Sequence, residues 1–194
     1  MPAATTNKTG YAVFETALGR CAILWRGGLV VGAALPEVDE AGLRASLARR
    51  FPAAEPAEPP PVPEQAIALI GALLAGDAPD LGEIDLDLSA CSEFERAVYA
   101  AARAIPRGET RTYGEVANAL GQPGAAQAVG LALGRNPVPI VVPCHRILAS
   151  GGKTGGFTAP GGVATKFRML AIEGAIRPGE PGLFDRLPLA VKPT

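Results

Sequence analysis

Asn136-Pro137-Val138-Pro139-Ile140-Val141-Val142-Pro143-Cys144-His145-Arg146 is the stretch on which the fold turns. Its apolar centre, Val138–Val142, predicts a short buried strand. Two short helical segments precede it, joined by a glycine-containing turn, and a helix pair followed by a strand points to a winged helix-turn-helix. Cys144 and His145 then fall at the end of that strand, where sites on small domains tend to lie. His145 is the only histidine of the chain and Cys144 is one of three cysteines. A thiol attacks as its thiolate, and at a free pKa near ~8.5 only a few per cent is ionised at neutral pH, so an imidazole neighbour is the usual remedy. Adjacent side chains point to opposite faces of a strand and diverge on a helix. Proton transfer between the pair therefore requires a sharp backbone turn or a relaying water. Adjacency alone favours the plainer reading, in which Cys144 is a small core residue and His145 lies at the surface.

Upstream, Ser92-x-x-Glu95 is a capping box that opens a helix to Ala104, with Phe94, Val98, Ala101 and Ile105 as its buried stripe. Pro106-Arg107-Gly108 is a turn. Thr112-x-x-Glu115 opens a second helix that runs through Leu120 to Gly121, and a third runs from about Gly124 to Leu133, ended by Gly134. This third helix carries Ala125, Ala126, Ala128, Gly130 and Ala132 and is almost bare. A normal helix is about 10–12 Å wide with its side chains, and the DNA minor groove is only about 6 Å wide. A helix stripped to Ala and Gly fits a widened minor groove, and it equally suits close packing in a core. Downstream, the Gly-rich run 151–162 lacks the spacing of a phosphate-cradling loop. Ala164 to Glu173 reads as a final helix ended by Gly174, and residues 177–194 as a tail over the surface.

The N-terminal part has a different pattern. Residues 1–9 read as disordered, and Tyr11–Ala17, Arg20–Arg26 and Leu29–Leu35 as three strands joined by hairpin turns. Glu37 to Phe51 reads as a helix with Arg49 and Arg50 at its end, where the macrodipole favours cations. Six prolines between 52 and 63 predict a stiff extended connector within this domain. Glu64–Ala75 is an apolar helix stopped by Gly76, and Glu83–Leu88 alternates as a half-buried strand does. The expected organisation is an N-terminal domain over 1–88, a second domain over 89–176 and a tail over 177–194.

The chain has 194 residues and a net charge of -1. Residues 1–88 carry 6 Lys+Arg against 12 Asp+Glu, and residues 89–194 carry 12 against 7, so the halves stand at -6 and +5. This asymmetry points modestly to an anion-facing C-terminal half. Neither a secretory signal nor a run of 18 apolar residues is present, which reads as a cytoplasmic protein with no membrane partner. Cys21, Cys91 and Cys144 are too scattered for a disulfide framework, and one histidine without a Cys-x-x-Cys argues against a metal site.

The decisive stretch, together with Ile105-Pro106-Arg107-Gly108-Glu109-Thr110-Arg111-Thr112-Tyr113-Gly114-Glu115-Val116-Ala117 and Ala125-Ala126-Gln127-Ala128-Val129-Gly130, resembles the O6-alkylguanine-DNA alkyltransferases. Several segments match in order from about Ser92 to Gly174. The resemblance implies an α/β (α+β) protein: an N-terminal ribonuclease H-like small sheet with helices, lacking the catalytic acids, and a C-terminal winged helix-turn-helix. It implies DNA repair by stoichiometric transfer of an alkyl group from O6-alkylguanine to Cys144, with O4-alkylthymine a second candidate substrate, no cofactor, and a monomer bound to double-stranded DNA. Carried over by residue, Cys144 is the nucleophile, His145 the base acting through water, Glu173 the acid that orients it, and Asn136 the brace of the active-site turn. Tyr113 contacts guanine N3 and the 3′ phosphate. The carbonyls of Cys144 and Ile147 accept from the guanine amine, the Thr158 N–H donates to O6, Pro139 lines the alkyl pocket and Phe157 stacks near the base. Thr112, Tyr113, Ala125, Ala126, Gln127, Ala128, Gly130 and Arg135 face DNA. The target atom is inaccessible in a duplex, so the nucleotide is flipped out.

Two departures stand out. Gln127 occupies the place of the arginine that fills the vacated stack, which removes a charge. The loop Phe157-Thr158-Ala159-Pro160-Gly161-Gly162 is longer than the family's usual form, which would widen the pocket toward bulkier adducts. The main alternative is a lesion-binding relative without transfer activity, against which Cys144 counts. A winged-helix regulator would need base-reading polar residues on its recognition helix, and a cysteine hydrolase would turn over.

Overall fold

The fold, a computed structural model, describes residues 8–150 and 155–175. Its first layer is a sheet of four strands, β1 (Thr9–Thr16), β2 (Gly19–Arg26), β3 (Leu29–Ala34) and β4 (Ala54–Pro56), in the order β3-β2-β1-β4. The hairpin strands are antiparallel, and β4 lies parallel to β1 at the edge. β2 is buried on both faces, which is why Cys21-Ala22-Ile23-Leu24-Trp25 reads as an unbroken apolar run. On one face Ala22 and Leu24 pack against Leu43 and Leu47 of α1 (Glu40–Arg50). On the other, Cys21, Ile23 and Trp25 meet Ala66, Ile70, Leu73 and Leu74 of α2 (Pro61–Ala75). Gly76, at φ 105, caps α2 in the left-handed region that glycine enters without penalty.

The second half is helical. Helix α3 (Glu93–Arg103) carries its full capping box, as does α4 (Tyr113–Ala119), and a glycine-containing turn joins α4 to α5 (Ala126–Gly134). Val98, Tyr99, Ala102 and Ile105 of α3 and the adjoining turn pack on Val116, Ala117, Val129, Ala132 and Leu133, and Tyr99 Oη donates to the Ala132 carbonyl at 3.0 Å. Phe94 and Ala101, expected in the stripe, are partly buried at its margin. A two-residue parallel pair, β5 (Arg111–Thr112) with β6 (Ile147–Leu148), and α6 (Gly162–Ile172) complete the fold. Among the described residues no helix is long and apolar enough to cross a membrane.

Several expectations need correction. Val138–Val142 is a buried turn, not a strand: Pro137 and Pro139 bring no N–H to a ladder, Val142 N–H bonds back to Val138 at 2.9 Å, and Ile140 sits at φ 78. Glu83–Leu88 is likewise no strand; a 3-10 turn at Leu81–Glu83 leads to a single bridge from Leu86 to Val30. Helix α1 starts at Glu40, not Glu37, because the Asp39 carboxylate accepts from Gly42 N–H at 2.7 Å and caps it there. The proline-rich connector is partly regular: Ala54–Pro56 forms β4, and Pro61 and Pro63 lie in the first turn of α2, where missing donors cost nothing. Thr9, read as disordered, already pairs with Arg26. The expected disorder over 1–7, residues 151–154 of the glycine-rich run and the tail over 177–194 lie outside the described residues.

Candidate active site

The turn after α5 is seated in the sheet's own core. Val138, Ile140, Val141 and Met169 belong to the same apolar cluster as Ile23, Trp25 and Ile70, and Ala33 N–H donates to the Pro137 carbonyl at 2.9 Å. Asn136 spans the turn from within: its Nδ2 donates to the Val142 carbonyl at 2.8 Å and its Oδ1 accepts from Val138 N–H at 2.9 Å. Without it the buried Val138 N–H would have no partner, and the Val142 carbonyl would keep only the Cys144 N–H at 2.8 Å. The brace also holds Ile140, a β-branched residue, in a left-handed conformation that costs of order 1–3 kcal/mol.

The chain leaves this turn as a single 3-10 turn, Cys144–Arg146. That is the sharp turn adjacency required, and it sends the neighbouring side chains in different directions. Cys144 is half-buried and lines an open cleft. His145, expected at the surface on adjacency alone, is fully buried. Its Nε2 lies 2.9 Å from Glu173 Oε1. An ionised carboxylate only accepts, so Nε2 carries the proton and Nδ1 of the neutral ring is an acceptor. Nδ1 is buried and has no hydrogen-bond partner.

Glu173 is shared. Arg146 Nε donates to its Oε2 and Nη2 to its Oε1, each at 2.8 Å, while Nη1 donates to the Ile105 carbonyl at 2.6 Å. Burial alone would raise the Glu173 pKa, but the hydrogen bonds and charges of His145 and Arg146 outweigh it and hold the carboxyl at about 2. For His145 burial wins, aided by the cations Arg146 and Lys166, and its pKa falls below the usual value despite Glu173. The ring is therefore neutral near pH 7 and fixed in one tautomer. Burial also raises the Cys144 thiol, against the opposing pull of Asn136, the Lys166 charge and two backbone N–H groups. The resting group is a thiol that needs a base.

Lys166 and Arg146 are the residues that sequence reasoning did not assign. Lys166 is fully buried, with Nζ 2.6 Å from the Ile147 carbonyl, 6.0 Å from the Tyr113 ring centre and 5.9 Å from that of Phe157. Burial depresses its pKa to about 8 and the Cys144 thiolate would raise it. The signal was present: Lys166, Met169, Leu170 and Glu173 follow i, i+3, i+4, i+7 and place two charges on the buried stripe of α6.

The cleft, about 870 Å³, gathers Tyr113, Ala126, Gln127, Gly130, Arg135, Asn136, Pro139, Cys144, Phe157 and Thr158. Ala125, Ala128, Thr112 and Ile147 are not in its wall. Ala125 caps α5 and Ala128 is exposed on it; Thr112 is engaged with Glu115 at the start of α4, and the Ile147 carbonyl accepts from Lys166. Arg135 lies 3.6 Å from Glu95. Tyr113 approaches the backbone so closely that a Cβ at Gly155 would stand 2.9 Å from its ring. A half-buried thiol, a neutral base with an open Nδ1 and a nearby cation suit nucleophilic displacement.

Residues 93–175 match the family described as 6-O-methylguanine DNA methyltransferase, DNA binding domain. The methylated-DNA–protein-cysteine methyltransferase of Mycolicibacterium paratuberculosis is 48% identical over 120 residues, 62% of this chain and 70% of that protein. The crystal structure of Mycobacterium tuberculosis OGT in complex with DNA superposes with a TM-score of 0.69 at 31% identity, covering 91% of this chain and 99% of that one. The O6-methylguanine-DNA methyltransferase of Pyrococcus kodakaraensis gives a TM-score of 0.61 at 29% identity over 86% of this chain and 99% of its own.

Proposed function

Because the chain belongs to the methylated-DNA–protein-cysteine methyltransferase family, we propose that it repairs DNA by moving the alkyl group of O6-alkylguanine onto its own Cys144. The sulfur attacks the alkyl carbon, a C–S bond forms and the bond from that carbon to O6 breaks. The electron pair returns to the base. The thiol proton passes through one water to His145 Nδ1, and a proton delivered to the departing base leaves ordinary guanine. The product thioether is a poor leaving group, so each molecule acts once.

The observation that carries this reading is the His145 tautomer. Glu173 takes Nε2–H, and Nδ1 is left buried and unpaired on the residue next to a thiol that lines an open cleft. Lys166 stabilises the thiolate by its charge, and Asn136 holds the turn that presents the sulfur. Tyr113 and Phe157 flank the base, Pro139 lines the alkyl pocket, and the Thr158 N–H serves O6. The exposed small residues of α5 enter the minor groove, with Gln127 filling the gap left by the flipped nucleotide. The wide cleft admits adducts larger than methyl. The protein acts as a monomer on double-stranded DNA in the cytoplasm, where reducing conditions keep the thiol free.

Intact-protein mass after mixing with excess O6-methylguanine duplex tests this. The expected result is one methyl per protein, mapped to Cys144 and absent in Cys144→Ala. Tight lesion binding with no mass change would leave a recognition protein instead.

A further inference from the structure

The N-terminal half is acidic, and four of its six cations are spent on its own carboxylates. Its six Lys and Arg are Lys8, Arg20, Arg26, Arg44, Arg49 and Arg50. The first four make ion pairs: Lys8 with Glu55, Arg20 with Glu15 and Glu40, Arg26 with Asp87, and Arg44 with Glu40. Arg49 and Arg50 make none among the described residues. Arg49 reaches only the Ser46 hydroxyl at 3.4 Å, and Arg50 the Ala33 carbonyl at 3.5 Å and the face of Phe51. Position at the end of α1 suits the helix dipole, but that accounts for two cations without saying where they point.

They point into the active-site cleft. Arg49, Arg50, Ser46 and Glu37 form one wall of the space whose other walls are Gln127, Leu131 and Arg135 of the α5 segment and the loop around Phe157. Cys144 lines the same space. Burial and the charge of Arg49 both work against the Arg50 cation, with Glu37 the only carboxylate in opposition. Two adjacent guanidiniums held this way gain from an anion that each can bind.

We infer that Arg49 and Arg50 form a second DNA-contacting wall, which grips phosphates of the lesion strand beside the flipped nucleotide while α5 occupies the minor groove. This rests on the DNA-repair reading above. It assigns the N-terminal domain a direct part in holding DNA and moves positive charge to the far side of a groove whose reading helix carries Gln127.

The test is the salt dependence of binding to an O6-methylguanine duplex, for the whole protein and for R49Q/R50Q. Each phosphate contact contributes a slope of about 0.9 in log K against log salt, so two lost contacts make the dependence shallower by roughly 2 and weaken binding roughly 10–100-fold near 0.1 M salt. R49K/R50K keeps the charge and should retain most of the slope, which separates lost phosphate contacts from a disturbed α1. An unchanged slope in R49Q/R50Q overturns the proposal, as does an equal loss in R49K/R50K. Methyl transfer by the unaltered protein is measured alongside; its failure would sink the repair reading itself.

Discussion

Cys21 and Cys144 are two thiols in two kinds of interior. Cys21 sits in β2 among Ile23, Trp25, Ile70 and Leu73, with only the Thr16 hydroxyl near it at 3.6 Å, and burial drives its pKa to about 11. Cys144 is also penalised by burial, but Asn136, Lys166 and backbone N–H groups oppose the penalty. Among the described residues, five of the six buried polar side chains, Asn136, His145, Arg146, Lys166 and Glu173, belong to the active-site turn or to α6 and its cap, and the sixth, Ser46, lies on α1 in the cleft wall. A buried thiol becomes a nucleophile when fixed polar groups stand in for the water it has lost.

Removing those groups should make the second site resemble the first. Glu173→Gln has the largest expected effect. It frees the His145 tautomer and leaves Arg146 without its anion, so the single-turnover transfer rate should fall roughly 10²–10⁴-fold and stability by roughly 3–5 kcal/mol. Rapid-quench kinetics and urea melts measure the two; wild-type rates would mean that Glu173 orients nothing. Acid should act on the same frame in the unaltered protein. The Glu173 carboxyl titrates near 2 when folded against 4.5 normally, so its stabilisation is complete above pH 4.5 and is lost as pH falls toward 2. His145 works in the same direction: buried neutral, it binds its proton less readily than in the unfolded chain, so stability already declines as pH drops below 6.5. Glu173→Gln should abolish the lower part of that decline in a pH series of melts.

Asn136→Ala comes next. It orphans Val138 N–H, takes one of the two donors from the Val142 carbonyl and loosens the turn that holds Ile140, so a loss of roughly 1–3 kcal/mol is expected in denaturant melts, together with slower transfer. A loss below about 0.5 kcal/mol would mean the turn holds its shape without the brace. Cys21→Ala is the smallest: about 1 kcal/mol of packing and no change in transfer rate, because Cys21 packs in the sheet core while Cys144 packs against the helical cluster.

Much of this was legible from sequence because it depended on local rules. Capping boxes at Ser92 and Thr112 set α3 and α4, and glycines set the hairpin turns and the end of α2. The cleft residues Tyr113, Gln127, Asn136 and Pro139 lie in the ordered motifs, Phe157 and Thr158 were assigned through the resemblance, and all six share one space. What escaped was decided by tertiary contact. Val138–Val142 has the composition of a strand, but its hydrogen bonds go to Asn136 and to itself, and pattern alone cannot see that. Arg146 and Lys166 were given no role by the sequence, and the fold buries Arg146 against Glu173 and brings the Lys166 charge to bear on Cys144.

The pairing of His145 with Glu173 bridges 28 positions, and the acid comes to the site at the C-terminal end of the same helix that carries Lys166. A chain made from its N-terminus therefore exposes the Cys144 thiol before its tautomer lock and its counter-cation exist. On the ribosome that thiol is ordinary. On the proposed mechanism, reactivity would arrive only when α6 docks, and a protein that can act once would not spend itself while still being made.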